Sequence, residues 1–149
     1  MIVKMKQDES CQDIEITVKY PADSAKLRRL EQLLRTVDFQ IACEDNGEMR
    51  MVNAADIFYI ESVDKRAYVY LEKAVYYTPQ RLYQLAEQLG RHGFVQVSKS
   101  CILNIHRMES IRPLLNSRME ATLKNGERVS VNRNYVGNVK KALKGVCGE

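Results

Sequence analysis

Phe94-Val95-Gln96-Val97-Ser98-Lys99-Ser100-Cys101-Ile102-Leu103-Asn104 reads as a short strand that runs into a polar, basic turn and then a largely apolar run. The same texture recurs on either side. Upstream, Ile57-Phe58-Tyr59-Ile60-Glu61-Ser62 is rich in aromatic and β-branched residues and predicts a strand. It ends at the polar break Asp64-Lys65-Arg66. Ala67 to Glu72 alternates, with Val69 and Leu71 on one face and Tyr68, Tyr70 and Glu72 on the other. Val75 to Thr78 continues as a third strand. Thr78-Pro79 supplies a hydroxyl cap and a first-turn proline for a helix whose stripe is Leu82, Leu85, Ala86 and Leu89. Gly90 and Gly93 stop it.

Downstream, Arg107 to Pro113 and Met119 to Lys124 predict strands. Asn125-Gly126 is a hairpin turn, and Arg128-Val129-Ser130-Val131 returns from it. Val136, Val139, Leu143 and Val146 suggest a closing helix begun by Asn132 or Asn134. Lys140, Lys141 and Lys144 crowd its last turns, where the helix dipole favours cations. The first third reads differently. Asp13-Ile14-Glu15-Ile16-Thr17-Val18-Lys19 alternates with period two and predicts a half-buried strand. Leu27, Leu30, Leu33, Leu34 and Val37 keep helical spacing behind a cap at Asp23 or Ser24. Val37 to Cys43 and Glu48 to Val52 flank the tight-turn pair Asn46-Gly47. The predicted fold is therefore mainly β with flanking helices, an α+β arrangement of antiparallel strands. It divides into a strand–helix–hairpin extension at 1–52 and a larger unit at 53–149.

With 149 residues, 45% apolar and 28% charged, the chain is long enough to bury a core without disulfides or metal. It contains neither an 18-residue apolar run nor an apolar leader, so a cytoplasmic location is expected. The four cysteines, at 11, 43, 101 and 147, form no C-x-x-C pair and have no histidine at zinc-ligand spacing. Reduced thiols are expected. His92 and His106 belong to no nucleophile–base arrangement, and no G-x-G-x-x-G, Walker A or G-x-S-x-G pattern occurs. Neither catalysis, a cofactor nor a small-molecule substrate is expected.

The net charge of +4 is unevenly spread. Residues 1–52 hold 8 Lys and Arg against 10 Asp and Glu, whereas residues 53–149 hold 15 against 9. The basic surplus of the larger unit points to an anionic partner, with nucleic acid first. Asp64-Lys65-Arg66, Ser98-Lys99-Ser100 and Asn132-Arg133-Asn134 each come after an apolar strand. Three such loops can lie along one edge of a β structure and address one long ligand through phosphates and base edges. Taken singly, each is also an ordinary solvated turn.

The stretch from about Asp56 to Leu143 resembles the LytTR DNA-binding domain of bacterial transcription regulators. The resemblance rests on I-F-Y-I-E-S at 57–62, Lys65-Arg66 and the T-P-Q-R-L-Y-Q-L-A-E-Q-L helix. It is clearest in F-V-Q-V-S-K-S-C-I-L-N at 94–104. M-E-S-I at 108–111, the Asn125-Gly126 hairpin and V-S-V-N-R-N-Y at 129–135 complete it. It implies an elongated antiparallel β structure that places loops, not a recognition helix, in successive major grooves of double-stranded DNA.

Carried over by motif, the contacts fall on Lys65, Arg66, Ala67 and Tyr68, on Ser98, Lys99 and Ser100, and on Arg133 and Asn134. Lys99 and Arg133 are the expected base-edge contacts. Lys65, Arg66 and Ser100 are the expected phosphate contacts. Two departures stand out. Ser98 occupies a position where many relatives have His. Ala67 occupies one where some relatives have a base-contacting polar side chain, so Arg66 or Tyr68 would have to supply that contact. Asn104 is expected to be a buried amide that satisfies backbone groups, and Cys101 a small buried thiol near the loop.

The resemblance also implies a stand-alone regulator without a receiver domain, acting as a homodimer on repeated half-sites. A small membrane-protein inhibitor is a candidate partner. For residues 1–52, dimerisation, inhibitor docking and completion of the sheet are all open. The rival reading is an interaction module of the same fold that sequesters a partner, with weak or no DNA binding. RNA binding is a third, disfavoured by the absence of an RNP-type aromatic signature.

Overall fold

The computed structural model describes residues 1–147. The order is α1 (Ala25–Thr36), β1 (Gln40–Asp45), β2 (Glu48–Asn53), β3 (Tyr59–Val63), β4 (Arg66–Tyr70), β5 (Val75–Thr78), α2 (Leu82–Leu89), β6 (Phe94–Ser98), β7 (Cys101–Asn104), β8 (Met108–Pro113), β9 (Met119–Leu123), β10 (Arg128–Val131) and α3 (Val136–Cys147). Single 3-10 turns join several of these. Seven strands form one antiparallel sheet in the order β2-β1-β5-β4-β3-β7-β6, and the last three form a second, β10-β9-β8. The expected α+β class and the antiparallel pairing are both present.

Strand alternation sorts side chains between two cores. On one face of the large sheet Ile41, Cys43, Val52, Ile60, Ala67, Val69 and Ile102 pack with Leu85 and Leu89 of α2. The leucine stripe of α2 is therefore core, as its spacing predicts. On the other face, Cys101 and Leu103 join Phe58 and Val97 against Ala121 and Leu123 of the small sheet, Val131, and Val139 of α3. Val146, the last member of the expected α3 series, lies outside the residues whose side chains are described, as does Cys147.

Asn104 sits where the chain leaves one sheet for the other. It is 1% exposed. Its side-chain amide donates to the Ile57 carbonyl at 2.8 Å, and its Oδ1 accepts from the His106 backbone N–H at 3.0 Å. Both of its polar ends are thus matched to backbone groups that burial would otherwise strand. Cys101, on the same strand, is buried, and burial pushes its thiol up to about 12. It stays a protonated, packed thiol.

Three expectations give way to packing. Residues 13–19 join no ladder within the chain, and residues 1–24 are exposed throughout. The alternation is present, but no neighbouring strand of this chain meets it. Thr78 does not cap α2: it is the last residue of β5, paired with Ala67 and fully buried, and α2 begins four residues later, at Leu82 behind Arg81. The sheet ladder prevails over the cap, and Pro79 falls in the bend between them. Ser24 does cap α1, accepting the Leu27 N–H at 3.1 Å. Yet the α1 leucines are only half-buried, and Val37 is exposed. α1 rests at the rim of the molecule beside α3 and is anchored by polar bonds. Gln32 meets His106 Nε2 at 2.8 Å, and Thr36 meets His92 Nδ1 at 2.9 Å. Gly93 makes room for the first of these. At φ +90 it needs the left-handed region, and an added Cβ would lie 2.5 Å from His106 Nε2.

His106 gives the fold a pH dependence. Burial, reinforced by the positive charges of Arg29 and Lys124, pushes it down to about 4. The unfolded chain protonates near the ordinary value of ~6.5. Above that pH both states are neutral and the contribution to stability is complete. As pH falls from ~6.5 toward 4, the unfolded state takes up the proton first and stability is lost. Between pH 7.5 and 5.0, urea unfolding is expected to show a loss of about 2 kcal/mol from this group. The loss should shrink in His106→Gln. An equally steep decline in that variant would remove His106 as the cause.

Candidate nucleic-acid interface

Three connections place the candidate side chains. The first is the β3–β4 hairpin. Val63 pairs with Arg66, leaving Asp64 (φ 52) and Lys65 (φ 65) as a two-residue turn with both φ positive. Such a turn matches the right-handed strand twist and projects its central side chains into solvent. Lys65 and Arg66 are exposed, and the Arg66 guanidinium stands 5.8 Å over the Tyr77 ring. Tyr68 is half-buried on the same face as Tyr77, its partner across β4 and β5. Ala67 faces the other way, 2% exposed within the α2-side core. This corrects its inclusion among the contacts: any side chain at that register position points into the core.

The second connection is the β6–β7 turn. Its ladder slips between Gln96 and Ser98, so Val97 is the extra residue of a bulge. The Val97 side chain is fully buried in the second core, and its carbonyl accepts the Asn132 N–H at 2.9 Å. A bulge bends its strand and re-aims the residues beyond it. Here it turns Ser98, Lys99 and Ser100 toward the end of β10. Ser98 Oγ accepts the Ser100 N–H at 3.2 Å, which closes the turn. The Ser100 carbonyl accepts the Ser62 N–H at 2.7 Å, which ties the turn to β3.

The third connection is the 3-10 turn Arg133–Tyr135 between β10 and α3. Asn132 occupies its cap position, without a side-chain bond. Arg133 and Asn134 are exposed beside it. Two short backbone bonds, Ser62 to Ser100 and Asn132 to Val97, therefore stitch all three connections together through β6 and β7.

Two depressions mark the surface between them. One, of about 550 Å³, is lined by Tyr59, Glu61, Ser98, Lys99, Ser100 and Asn134 among others. A shallower one brings Lys65 and Lys99 to the same concavity. Arg66, Tyr68 and Arg133 line neither. Among the described residues Lys65, Arg66, Lys99 and Arg133 take part in no salt bridge, whereas Arg28, Arg35, Arg50, Arg107, Arg112 and Arg128 do. The loop-tip cations share this freedom with the lysines, so what sets them apart is their grouping on adjoining connections.

Two further cations escape the sequence reading. Arg81 shares the second depression with Lys65 and Lys99. Its backbone N–H is bonded by Gln84 at the start of α2. A cation at a helix N-terminus opposes the dipole, and that misfit was the available signal. Arg128 lines the first depression and also reaches Glu120 at 4.0 Å. Among the described residues no group of three or more His, Cys, Asp or Glu is placed to hold a metal. No helix among them is long and apolar enough to cross a membrane.

Comparison with known proteins bears on the family and the fold. The sensory transduction protein LytT of Bacillus anthracis is 34% identical over 94 residues, which is 63% of this chain and 38% of that protein. LytT of Bacillus subtilis is 24% identical over 125 residues, 84% of this chain and 52% of that one. The chain therefore spans from about two fifths to about half the length of these relatives. A protein of Staphylococcus aureus named as an uncharacterized HTH-type transcriptional regulator is 26% identical over 96 residues, 64% of this chain and 65% of its own. A solved LytTr DNA-binding domain from Bacillus cereus superposes with a TM-score of 0.66 at 25% identity, covering 70% of this chain and 95% of that one. The family model described as LytTr DNA-binding domain matches residues 47–144, a span that holds all three connections, and the chain belongs to that family.

Proposed function

We propose that the chain binds double-stranded DNA sequence-specifically as a transcription regulator, setting the β3–β4, β6–β7 and β10–α3 connections into successive major grooves. The observation that carries this is the stitching of three connections whose cations are free of internal ion pairs. Lys99 and Arg133 are assigned to base edges. Lys65, Arg66 and Ser100 are assigned to phosphates, and Tyr68, Ser98 and Asn134 to supporting contacts along the same track. Two copies acting on repeated half-sites would place two such tracks on one operator.

The groove assignment has a direct chemical test. A duplex selected from a random pool is methylated at guanine N7, which lies in the major groove. Binding is expected to weaken at least about tenfold for guanines in the site, since a lost bidentate contact is worth ~1–3 kcal/mol. A narrow minor-groove ligand should leave it unchanged. Competition by that ligand, with indifference to N7 methylation, would move the contacts to the other groove.

A further inference from the structure

The chain carries a strand-like alternation outside any sheet and a sheet edge without a partner. Ile14 (86% exposed), Ile16, Val18 and Tyr20 alternate with polar residues in a segment that joins no ladder within the chain. β2 is the terminal strand of the seven-stranded sheet, so one side of its backbone is unpaired. Free edges usually carry charges or a bulge that deters pairing; β2 has no bulge, and its charges, Glu48 and Arg50, leave two exposed methionines between and beside them. β2 is six residues long, pairs regularly with β1 and turns Met49 (72% exposed) and Met51 (57% exposed) outward. Alternation places these methionines on the face opposite Val52, beside Ala42 of β1. Nothing among the described residues covers that side.

We propose that residues 13–20 pair antiparallel with β2 of a second copy of this chain, so that two copies exchange arms. Side-chain chemistry selects both direction and register. With Glu15 opposite Arg50, Ile14 falls opposite Met51 and Ile16 opposite Met49, so the apolar faces coincide. Thr17 then faces Glu48. The parallel alternative with the same Glu15–Arg50 pair sets Asp13 against Glu48, a like-charge contact that destabilises a ladder. A slip of one residue in either direction sends the isoleucines to the wrong face. Arg50 is available: its side chain remains half exposed while it pairs with Asp45 at 3.2 Å.

A second copy is the occupant because both halves of the contact are encoded in one chain. Their exchange is two-fold symmetric and closed, leaving neither the arm nor the edge open to further copies. Each exchange sets the isoleucines of the arm beside the exposed methionines of β2 and satisfies backbone groups on both strands. It also accounts for the strong period-two pattern at 13–19, which the fold of a single copy does not use. The inference concerns the free protein and is tested without DNA, so it stands or falls separately from DNA binding.

The experiment is light scattering on the full chain over a wide concentration range, with hydrogen exchange at both ends of that range. A dimer is expected, in which the amides of 14–18 and 49–52 are protected together as concentration rises. Ile14→Lys with Ile16→Lys should weaken self-association by about 100-fold or more, since each isoleucine contributes substantial buried area. At concentrations low enough for both proteins to be monomeric, the far-UV spectrum and melting should match those of the parent chain, because both side chains are exposed in a single copy. Four results would overturn the proposal: a monomer throughout, a dimer with an unprotected arm, a dimer indifferent to the double variant, or protection of the arm in a monomer. The last would mean that the arm closes on its own β2.

Discussion

Lys99→Glu combined with Arg133→Glu is expected to lower affinity for an operator duplex by at least about 100-fold. Its folding should be unaffected. Both side chains are exposed and free of internal ion pairs, so reversing them removes nothing the fold uses. Each protein–DNA contact of this kind is worth ~1–3 kcal/mol, and a reversed charge adds repulsion from the phosphates. The single variants separate the roles. Arg133→Ala should erase the preference for operator over scrambled DNA, whereas Lys65→Ala should weaken both alike and lower the salt slope by about 1. An interaction module of the same fold would behave otherwise: its partner complex would survive the double reversal intact.

Asn104→Ala should destabilise the fold by about 3–5 kcal/mol, since it strands two buried backbone partners and leaves a small void. The Ile57 carbonyl would lose its 2.8 Å donor and the His106 N–H its 3.0 Å acceptor. Urea unfolding measures this, and Asn104→Asp should give no rescue at neutral pH, because an ionised carboxylate has no donor for the Ile57 carbonyl and would be buried unpaired. The effect on DNA binding should be indirect. Ile57 leads into β3 and Asn104 ends β7, so this amide ties together the far ends of the two hairpins that carry Lys65 and Lys99. A loss below about 1 kcal/mol, within the range of an ordinary exposed bond, would remove Asn104 from the structural role.

Much of this was legible because local pattern and packing agree. Val75–Thr78 is bounded as its composition predicts, and the Leu85–Leu89 stripe is buried as its spacing predicts. The misses occur where tertiary context decides. Thr78 has a cap's chemistry, but a neighbouring strand claims it. Residues 13–19 have a strand's alternation, but no partner strand within the chain. Ala67 lies between Arg66 and Tyr68 in sequence, yet strand alternation sends it to the core. The bulge at Val97 has no sequence signature, although its carbonyl holds the β10–α3 connection beside Lys99. The candidate residues could thus be named from motif alone. Their convergence needed the two backbone bonds that join Ser62 to Ser100 and Asn132 to Val97.

The central claim, that these connections read DNA sequence, is tested most directly by fluorescence anisotropy on fragments of the gene's own upstream region. Binding is measured at low and moderate salt against scrambled duplexes. One fragment should bind at least about 1,000-fold more tightly than scrambled DNA. Its affinity should fall steeply as salt rises, as counterion release requires. Uniformly weak binding to every upstream fragment, and to duplexes drawn from a random pool, would contradict sequence reading by this domain.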